Sequence, residues 1–271
     1  MDESELAGRE HANMIMALAL VGANADGAVV RRVDGVALIA TGLPLRLFNQ
    51  VLVDGGEATT GSITTAVETT RQRGDRFLVS LRIGTDDRFI ALMAQLGLVP
   101  LSADPWMPGM ALHPLPAAGP PERPTETLPG HEIRQVGDAV GLDDHISAAA
   151  SGFEMPEEWL RALMPISLIE RPEVAVYVGY TDGEPVTTGL GLRTGRTIGV
   201  YNIATVPSAR KRGYGAAMTS RIAADGAAAG CDVAILQASD MGRPIYEWLG
   251  YRTVVRYMGY VDPASLEPPA T

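Results

Sequence analysis

The sequence predicts an α/β (α+β) protein of two domains, in each of which helices flank a β-sheet. Three observations favour this fold class. Short apolar segments rich in β-branched residues alternate with longer Ala-rich or amphipathic segments. A proline-rich run separates two stretches that are each large enough to form a core. Both stretches end in the same order of elements, strand–helix–strand–helix–strand.

The proline-rich run lies between Pro114 and Pro129. Proline fixes φ and lacks a backbone N–H, so such a run enters neither a helix nor a central strand. We therefore predict a first domain over residues 1–115, a linker over 116–130, a second domain over 131–262 and a tail over 263–271.

Patterning and turn residues predict the order of elements in each half. In the second half we expect strands at Val174–Tyr180, Val186–Leu192, Ile198–Val206, Val233–Gln237 and Arg252–Val261, with helices at Gly213–Ala229 and Pro244–Leu249. In the first half we expect strands at Val29–Ala40, Leu47–Val53, Phe77–Ile83 and Met110–Leu115, with helices at Ser62–Thr70 and Asp87–Leu96. Both final helices end in Leu-Gly, at Gly97 and Gly250, which is typical of a left-handed C-cap. Matching caps at matching positions favour a duplicated domain.

Composition limits the classes of function. The chain has 271 residues, 46% of them hydrophobic, and a formal net charge of −10, which argues against nucleic-acid or membrane partners. Cys231 is the only cysteine and the four histidines are scattered, so we expect neither a disulfide nor a metal site. The apolar run Met14–Val21 is too short to cross a bilayer and follows acidic residues, which favours a cytoplasmic protein. Lys211 is the sole lysine beside many arginines, a bias typical of GC-rich bacterial genomes.

The segment from Val206 to Ala216 carries the most specific chemical signal. A predicted strand runs into a basic, glycine-containing loop that opens directly into a helix. The first N–H groups of a helix lack partners, and the helix dipole adds positive charge there. Glycines at 213 and 215 allow a bulky anion to approach the backbone, and the basic residues 210–212 surround the same point. The segment therefore predicts a polyphosphate site, although a solvated basic turn before a helix would read similarly.

Neither the Walker pattern nor the full dinucleotide pattern is present. What remains, Arg210-x-x-Gly213-x-Gly215 after Val206-Pro207, resembles the acetyl-CoA signature of the GNAT acetyltransferases. Tyr246, four residues before the glycine of the second Leu-Gly ending, is similar to a tyrosine found there in that family. The resemblance implies two GNAT-like domains, each with a mixed, mostly antiparallel sheet, and transfer of an acyl group from acetyl-CoA to an amine.

The resemblance also implies site residues. Tyr246 is the expected general acid, which protonates the leaving thiolate, unless it only packs on its helix. Oxyanion donors are expected from the strand before the loop. The expected cofactor-binding residues are Ala204, Thr205, Val206, Arg210, Lys211, Arg212, Gly213, Tyr214, Gly215, Ala216 and Ser239. No metal is implied.

The general base has no clear candidate in the sequence. Many GNAT enzymes carry a glutamate on the strand before the loop, whereas Tyr201–Thr205 contains none. Glu154, Glu157 and Glu158 are alternatives, as is a water molecule, but acidic residues are also common where a helix begins.

Two further functions stay open beside acylation of a small-molecule or protein amine. One is a non-catalytic acyl-CoA sensor, which the missing strand glutamate favours. The other is an aminoacyl-tRNA-dependent transferase, against which the net acidity weighs.

The first half has Met93 where the second has Tyr246, and acidic residues where a pyrophosphate needs cations. We expect that half to be a degenerate GNAT-like domain without cofactor, in a chain that is a monomer or a homodimer.

Overall fold

A computed structural model describes residues 1–105, 107–116 and 130–266. Within these residues the α-helices are α1 (Glu3–Gly22), α2 (Thr60–Arg73), α3 (Ile90–Gln95), α4 (Ala139–Phe153), α5 (Glu157–Leu163), α6 (Ile166–Ile169), α7 (Tyr214–Ala228) and α8 (Arg243–Trp248). The strands are β1 (Val29–Val33), β2 (Val36–Ala40), β3 (Asn49–Val53), β4 (Leu78–Arg82), β5 (Val99–Pro100), β6 (Met107–Leu112), β7 (His131–Gln135), β8 (Val174–Thr181), β9 (Glu184–Thr194), β10 (Thr197–Thr205), β11 (Val233–Gln237) and β12 (Arg252–Val261).

The chain divides into two compact units, each assembled from two segments. The C-terminal unit contains Met1–Met14 and Met110–Val254, and the N-terminal unit contains Ile15–Gly109 and Val255–Thr271. The ends of the chain are thus exchanged relative to domains drawn linearly at 1–115 and 131–262. Hydrophobic patterning shows which residues are buried but not which sheet buries them. Of the predicted linker, residues 117–129 lie outside the described part of the chain, as do residues 267–271 of the predicted tail.

The C-terminal unit is built on one mixed sheet in the order β7-β8-β9-β10-β11-β6. Neighbouring strands from β7 to β10 are antiparallel, whereas β10 and β11 are parallel, with α7 as the crossover between them. On one face α7 packs closely because Gly189 has no side chain: a Cβ there would lie 2.7 Å from Met218. On the other face α4 approaches through Gly152, where a Cβ would lie 2.8 Å from that of Ala204.

The N-terminal unit repeats this pattern with a sheet in the order β1-β2-β3-β4-β12. Strands β1 to β3 are antiparallel, β3 and β4 are parallel, and α2 is the crossover. β12, the last strand of the chain, closes this sheet in antiparallel register with β4, where Tyr257 faces Arg82. Two mixed, mostly antiparallel sheets flanked by helices confirm the predicted fold class.

The structure corrects the predicted elements of the first half in three places. Val29–Ala40 is not one strand but a hairpin, because Asp34 and Gly35 both adopt positive φ, 49° and 70°. Two consecutive left-handed residues form the tight turn that joins antiparallel strands, and Asp-Gly favours this conformation. The strand predicted from Leu47 begins at Asn49, after a short 3-10 turn. The apolar run Met14–Val21 lies in α1, a helix that the sequence analysis did not predict.

The two predicted glycine caps are confirmed. Gly97 has φ of +71° and Gly250 has φ of +94°, both left-handed. After each glycine the next N–H turns back to the helix: Leu98 N donates to Met93 O, and Tyr251 N donates to Tyr246 O, both at 2.9 Å. Met93 and Tyr246 therefore occupy the same position in their respective caps.

Candidate active site

The loop between β10 and α7 forms a concave backbone surface. A 3-10 turn at Pro207–Ala209 follows β10, and then Lys211 and Gly213 adopt positive φ, 64° and 93°. Left-handed residues interspersed with ordinary ones turn successive N–H groups toward one point, which makes an anion-binding concavity. Gly213 is the N-cap of α7, and no side chain caps this helix. The first N–H groups of α7 are therefore available to an external anion.

Gly215 shows that the loop has room for a ligand. Its φ is not positive, and a Cβ built there would lie 3.7 Å from both Ile203 and Thr205, an ordinary contact. Neither backbone conformation nor packing within the described residues requires glycine at this position. An absent side chain beside free helix N–H groups suits close approach by phosphate oxygens, so these residues fit the pyrophosphate of CoA.

The three basic residues of the loop have different environments. Arg210 is half-buried, and its Nη2 donates to Gly152 O at 2.8 Å and to Glu154 Oε1 at 3.0 Å. These contacts fasten the loop to the C-terminal end of α4. Lys211 and Arg212 are exposed. They are the residues whose charge can meet a phosphate directly.

Tyr214 and Ala216 turn their side chains away from the loop. Both are buried, and the Tyr214 ring lies 4.5 Å from the ring of His131. Burial lowers the pKa of His131, so its imidazole is neutral at neutral pH. What Tyr214 and Ala216 can offer an anion is their backbone N–H at the start of α7.

β10 separates from β11 as it approaches the loop. The parallel register runs from Thr197 with Val233 to Gly199 with Ile235, and no pairs follow. On its other edge β10 pairs with β9, with a bulge between Tyr201 and Ala204. One edge of β10 is therefore open beyond Gly199, as an extended ligand chain would require.

The predicted oxyanion donors differ in availability. Val206 N already donates to Val186 O at 3.0 Å. Hydrogen bonds alternate along an antiparallel pair, so Ala204 N–H points the same way, toward β9. The N–H of Thr205 lies between them and points away from β9. Of the three N–H groups, it is the one on the open edge of β10.

Tyr246 lies on α8 with its ring partly buried against the core, 6.2 Å from the ring of Tyr251 in an edge-on arrangement. Gly242 provides the space, because a Cβ there would lie 2.8 Å from the ring. Within the described residues no hydrogen bond engages the Tyr246 hydroxyl, and it is not enclosed. Burial raises the pKa of Tyr246 to about 12, so the phenol keeps its proton at neutral pH.

Ser239 shapes the turn that leads to α8. Its Oγ accepts from Gly242 N at 3.2 Å, and its carbonyl oxygen accepts from Arg243 N at 2.9 Å. The side chain is exposed at the end of β11. Ser239 therefore holds the turn that presents Tyr246, and its exposed side is open to a ligand.

The three acidic candidates for a general base lie at the surface. Glu154 is paired with Arg210, and Glu157 accepts from Arg161 at 3.1 Å. Glu158 is exposed on the first turn of α5.

Sequence reasoning missed three polar pairs near the open edge of β10. Asn202, in the bulge, bonds to His145 of α4. Tyr201, beside it, donates its hydroxyl proton to Asn13 Oδ1, and the buried Glu10 accepts from Gln237 at 2.6 Å. A positive-φ asparagine in a strand is a detectable signal, but no local pattern pairs α1 with β10, 188 residues away.

The comparisons with known proteins bear on this geometry. Residues 143–248 match the family model described as an acetyltransferase (GNAT) domain. The chain contains a GNAT domain. The matched range includes β8–β11, the basic loop, α7 and α8, so it contains every residue of the predicted site.

Solved GNAT structures share the fold over most of the chain. A GCN5-related N-acetyltransferase from Kribbella flavida has a TM-score of 0.66 at 18% identity, covering 93% of this chain and 95% of that one. One from Sphaerobacter thermophilus has a TM-score of 0.55 at 20% identity, covering 80% and 74%. A putative GNAT acetyltransferase from Novosphingobium aromaticivorans has a TM-score of 0.52 at 16% identity, covering 90% and 96%. No curated protein matches the sequence significantly.

Two features are absent from the described residues. No cluster of three or more His, Cys, Asp or Glu side chains could hold a metal ion. None of the helices is long and apolar enough to cross a membrane.

Proposed function

We propose that the protein is an acetyl-CoA-dependent N-acyltransferase that acts on an amine of a small molecule or a protein. The GNAT domain supports acyl transfer in general. The observation that carries the finer proposal is the uncapped start of α7 beside Gly215, at the end of a strand with an open edge. A phosphate cradle and an extended groove in this order suit a long ligand with a pyrophosphate at one end.

In this proposal each part of the site has one task. The N–H groups at the start of α7, with Lys211 and Arg212, hold the pyrophosphate, while Arg210 braces the loop. Thr205 N–H and the neighbouring open edge of β10 bind the extended arm and the developing oxyanion. The remaining predicted positions, from Ala204 to Ala216 and at Ser239, line or support this path.

When bound, acetyl-CoA supplies a thioester whose C–S bond breaks as the amine forms a C–N bond. As the C–N bond forms, the amine nitrogen releases one proton to solvent water, and the sulfur gains one proton from the protein. Tyr246 is the proposed proton donor to sulfur, because its hydroxyl is unpaired among the described residues and its pKa of about 12 keeps it protonated. No carboxylate of α5 needs to act as base if the amine arrives neutral.

We further propose that the N-terminal unit is a degenerate GNAT-like domain without cofactor, and that the chain works in the bacterial cytoplasm as a monomer or homodimer. The repeated sheet order supports common ancestry of the two halves. Neither a nucleic acid nor a membrane is required as partner, and the net charge of −10 disfavours both.

Turnover with acetyl-CoA and a panel of primary amines tests the function. Free thiol and amide product, measured by absorbance and mass spectrometry, should rise together for at least one amine. Gly215→Glu should abolish both.

A non-catalytic acyl-CoA sensor is the second candidate, favoured by the lack of a glutamate between Tyr201 and Thr205. Calorimetric binding of acetyl-CoA without thiol release from any amine mixture would support the sensor and overturn the transferase.

A further inference from the structure

A buried histidine lies behind the bulge of β10. His145, on α4, is fully buried. Its Nδ1 lies 2.9 Å from Tyr177 O, and its Nε2 lies 2.7 Å from Asn202 Nδ2. The imidazole thus bridges the backbone of β8 and the side chain of a bulge residue in β10.

Hydrogen-bond logic fixes the tautomer of this imidazole. A carbonyl oxygen only accepts, so Nδ1 carries the proton and donates it to Tyr177 O. Burial lowers the pKa of His145 to about 4, so the ring is neutral at neutral pH and Nε2 has a free lone pair. The group that faces Nε2 must therefore be a donor, and this is the NH₂ of Asn202.

The same logic fixes the orientation of the Asn202 amide, which sterics alone leave ambiguous. Nδ2 donates to His145 and also approaches Met164 Sδ at 3.6 Å. Both hydrogens of the NH₂ have acceptors. Within the described residues Oδ1 has no hydrogen bond, and it is not enclosed, since Asn202 is half-buried. The amide therefore presents an unused acceptor oxygen to solvent.

The backbone holds this oxygen at a defined place. Asn202 has φ of +54°, within the bulge between Tyr201 and Ala204, and its own carbonyl oxygen accepts from Thr188 Oγ1 at 3.0 Å. A left-handed conformation is unfavourable for most residues, though asparagine tolerates it. The side chain extends toward α4, on the face of the sheet opposite α7, three residues before Thr205. The acceptor oxygen thus belongs to a residue of β10 beyond its last pair with β11, and the amide that carries it contacts α4.

We propose that Asn202 Oδ1 accepts a hydrogen bond from the N–H of the amine to be acylated, and that His145 is the positioning residue that keeps this oxygen facing the amine. The inference rests on the proposed function and adds a binding contact to it. The contact is noncovalent: Asn202 orients the nucleophile but takes up no proton. A neutral acceptor at this place holds a neutral amine without binding a cation strongly.

Steady-state kinetics with an amine that the wild type acylates test the contact. Asn202→Gly removes the amide and keeps the positive φ, because glycine adopts it freely. Loss of one neutral hydrogen bond should raise KM for the amine roughly 3- to 10-fold and leave KM for acetyl-CoA unchanged. An unchanged amine KM overturns the inference but not the transferase. Thiol release that no amine stimulates in the wild type overturns both.

A test of His145 must measure a property that does not change merely because the variant folds less stably. His145→Leu should raise the amine KM as Asn202→Gly does, and His145→Gln, which can accept from Asn202 and donate to Tyr177 O, should restore it in part. Nitrogen-15 chemical shifts of His145 should report the neutral Nδ1-protonated form at pH 7. In Asn202→Asp a carboxylate faces Nε2, so Nε2 should become protonated. An Nε2-protonated ring in the wild type would overturn the amide orientation and with it the proposal.

Discussion

The guanidinium of Arg210 and the carboxylate of Glu154 lie 3.0 Å apart and join the basic loop to the end of α4. Glu154 itself is the C-cap of α4, with φ of +56°. Glu154, a candidate general base in the sequence analysis, therefore forms an ion pair with Arg210, which the sequence analysis expected to bind phosphate. Both charged groups are therefore paired with each other in this structure.

We expect Glu154→Gln to keep kcat within about threefold of wild type. The pair is exposed, and such pairs stabilise a protein by roughly 0–1 kcal/mol. Glutamine can still accept from Arg210. Stopped-time assays of thiol release across pH 6–9 check this, and a loss of the acidic limb of the profile together with a large fall in kcat would instead identify Glu154 as the base.

Gly215→Glu should weaken acetyl-CoA binding by well over tenfold, more than about 1.4 kcal/mol, because it adds bulk and negative charge to the cradle. Calorimetry measures the affinity and circular dichroism the fold. Gly8→Glu is the matched control: Gly8 is helical, and a Cβ there would meet nothing within 4 Å. Equal affinity in the two variants would refute the phosphate cradle.

Tyr246→Phe should lower kcat on the order of 100-fold with nearly constant affinity for acetyl-CoA, because proton donation belongs to the transition state. Tyr251→Phe removes a neighbouring hydroxyl that is buried and has no hydrogen-bond partner among the described residues, and it should leave kcat unchanged. If both variants turn over like wild type, Tyr246 only packs.

Acid should destabilise the fold through His145. Its pKa falls from 6.5 to about 4 on folding because burial disfavours the charged ring. Between these values the unfolded chain binds more protons, so stability is complete above pH 6.5 and falls as pH approaches 4. The loss for this group is on the order of 3 kcal/mol by pH 4. Urea unfolding at pH 7 and pH 5 should show a smaller difference in His145→Gln, and equal differences would contradict the assignment.

The sequence predicted what short-range patterns encode. Val233–Gln237 is a strand with the predicted bounds, and Gly250 caps α8 as expected. In contrast, the contact of Asn13 with Tyr201 depends on which unit α1 joins, and no local pattern carries that information. The orientation of Asn202 likewise follows from His145, which is 57 residues away. Local turns and caps were therefore accessible, whereas the polar pairs around the site needed tertiary structure.

The number of cofactors per chain follows from a contrast between two helix N-termini. Both α2 and α7 are crossovers between parallel strands, so a duplicated cofactor site would lie at the start of α2. There, Thr59 Oγ1 accepts from Ser62 N at 3.0 Å, and Thr59 N donates to Ser62 Oγ at 2.9 Å. This capping box uses the donors that α7 leaves available. At the start of α2 the Thr59 side chain thus accepts a backbone hydrogen bond, as we propose that a phosphate does at the start of α7.

We therefore expect equilibrium titration with acetyl-CoA to give one molecule per chain. Gly215→Glu should weaken that single binding event by well over tenfold, whereas Thr59→Val, which removes the cap on α2, should leave the stoichiometry at one. It should cost roughly 0.5–2 kcal/mol of stability, the usual effect of losing an N-cap. Two equivalent sites in the wild type, or a binding event in Gly215→Glu that keeps the wild-type affinity, would show that the first half binds cofactor. If the chain has one site, the first 14 residues belong to the unit that binds the cofactor, although they lie far from the basic loop in sequence. Removing these residues should therefore impair catalysis.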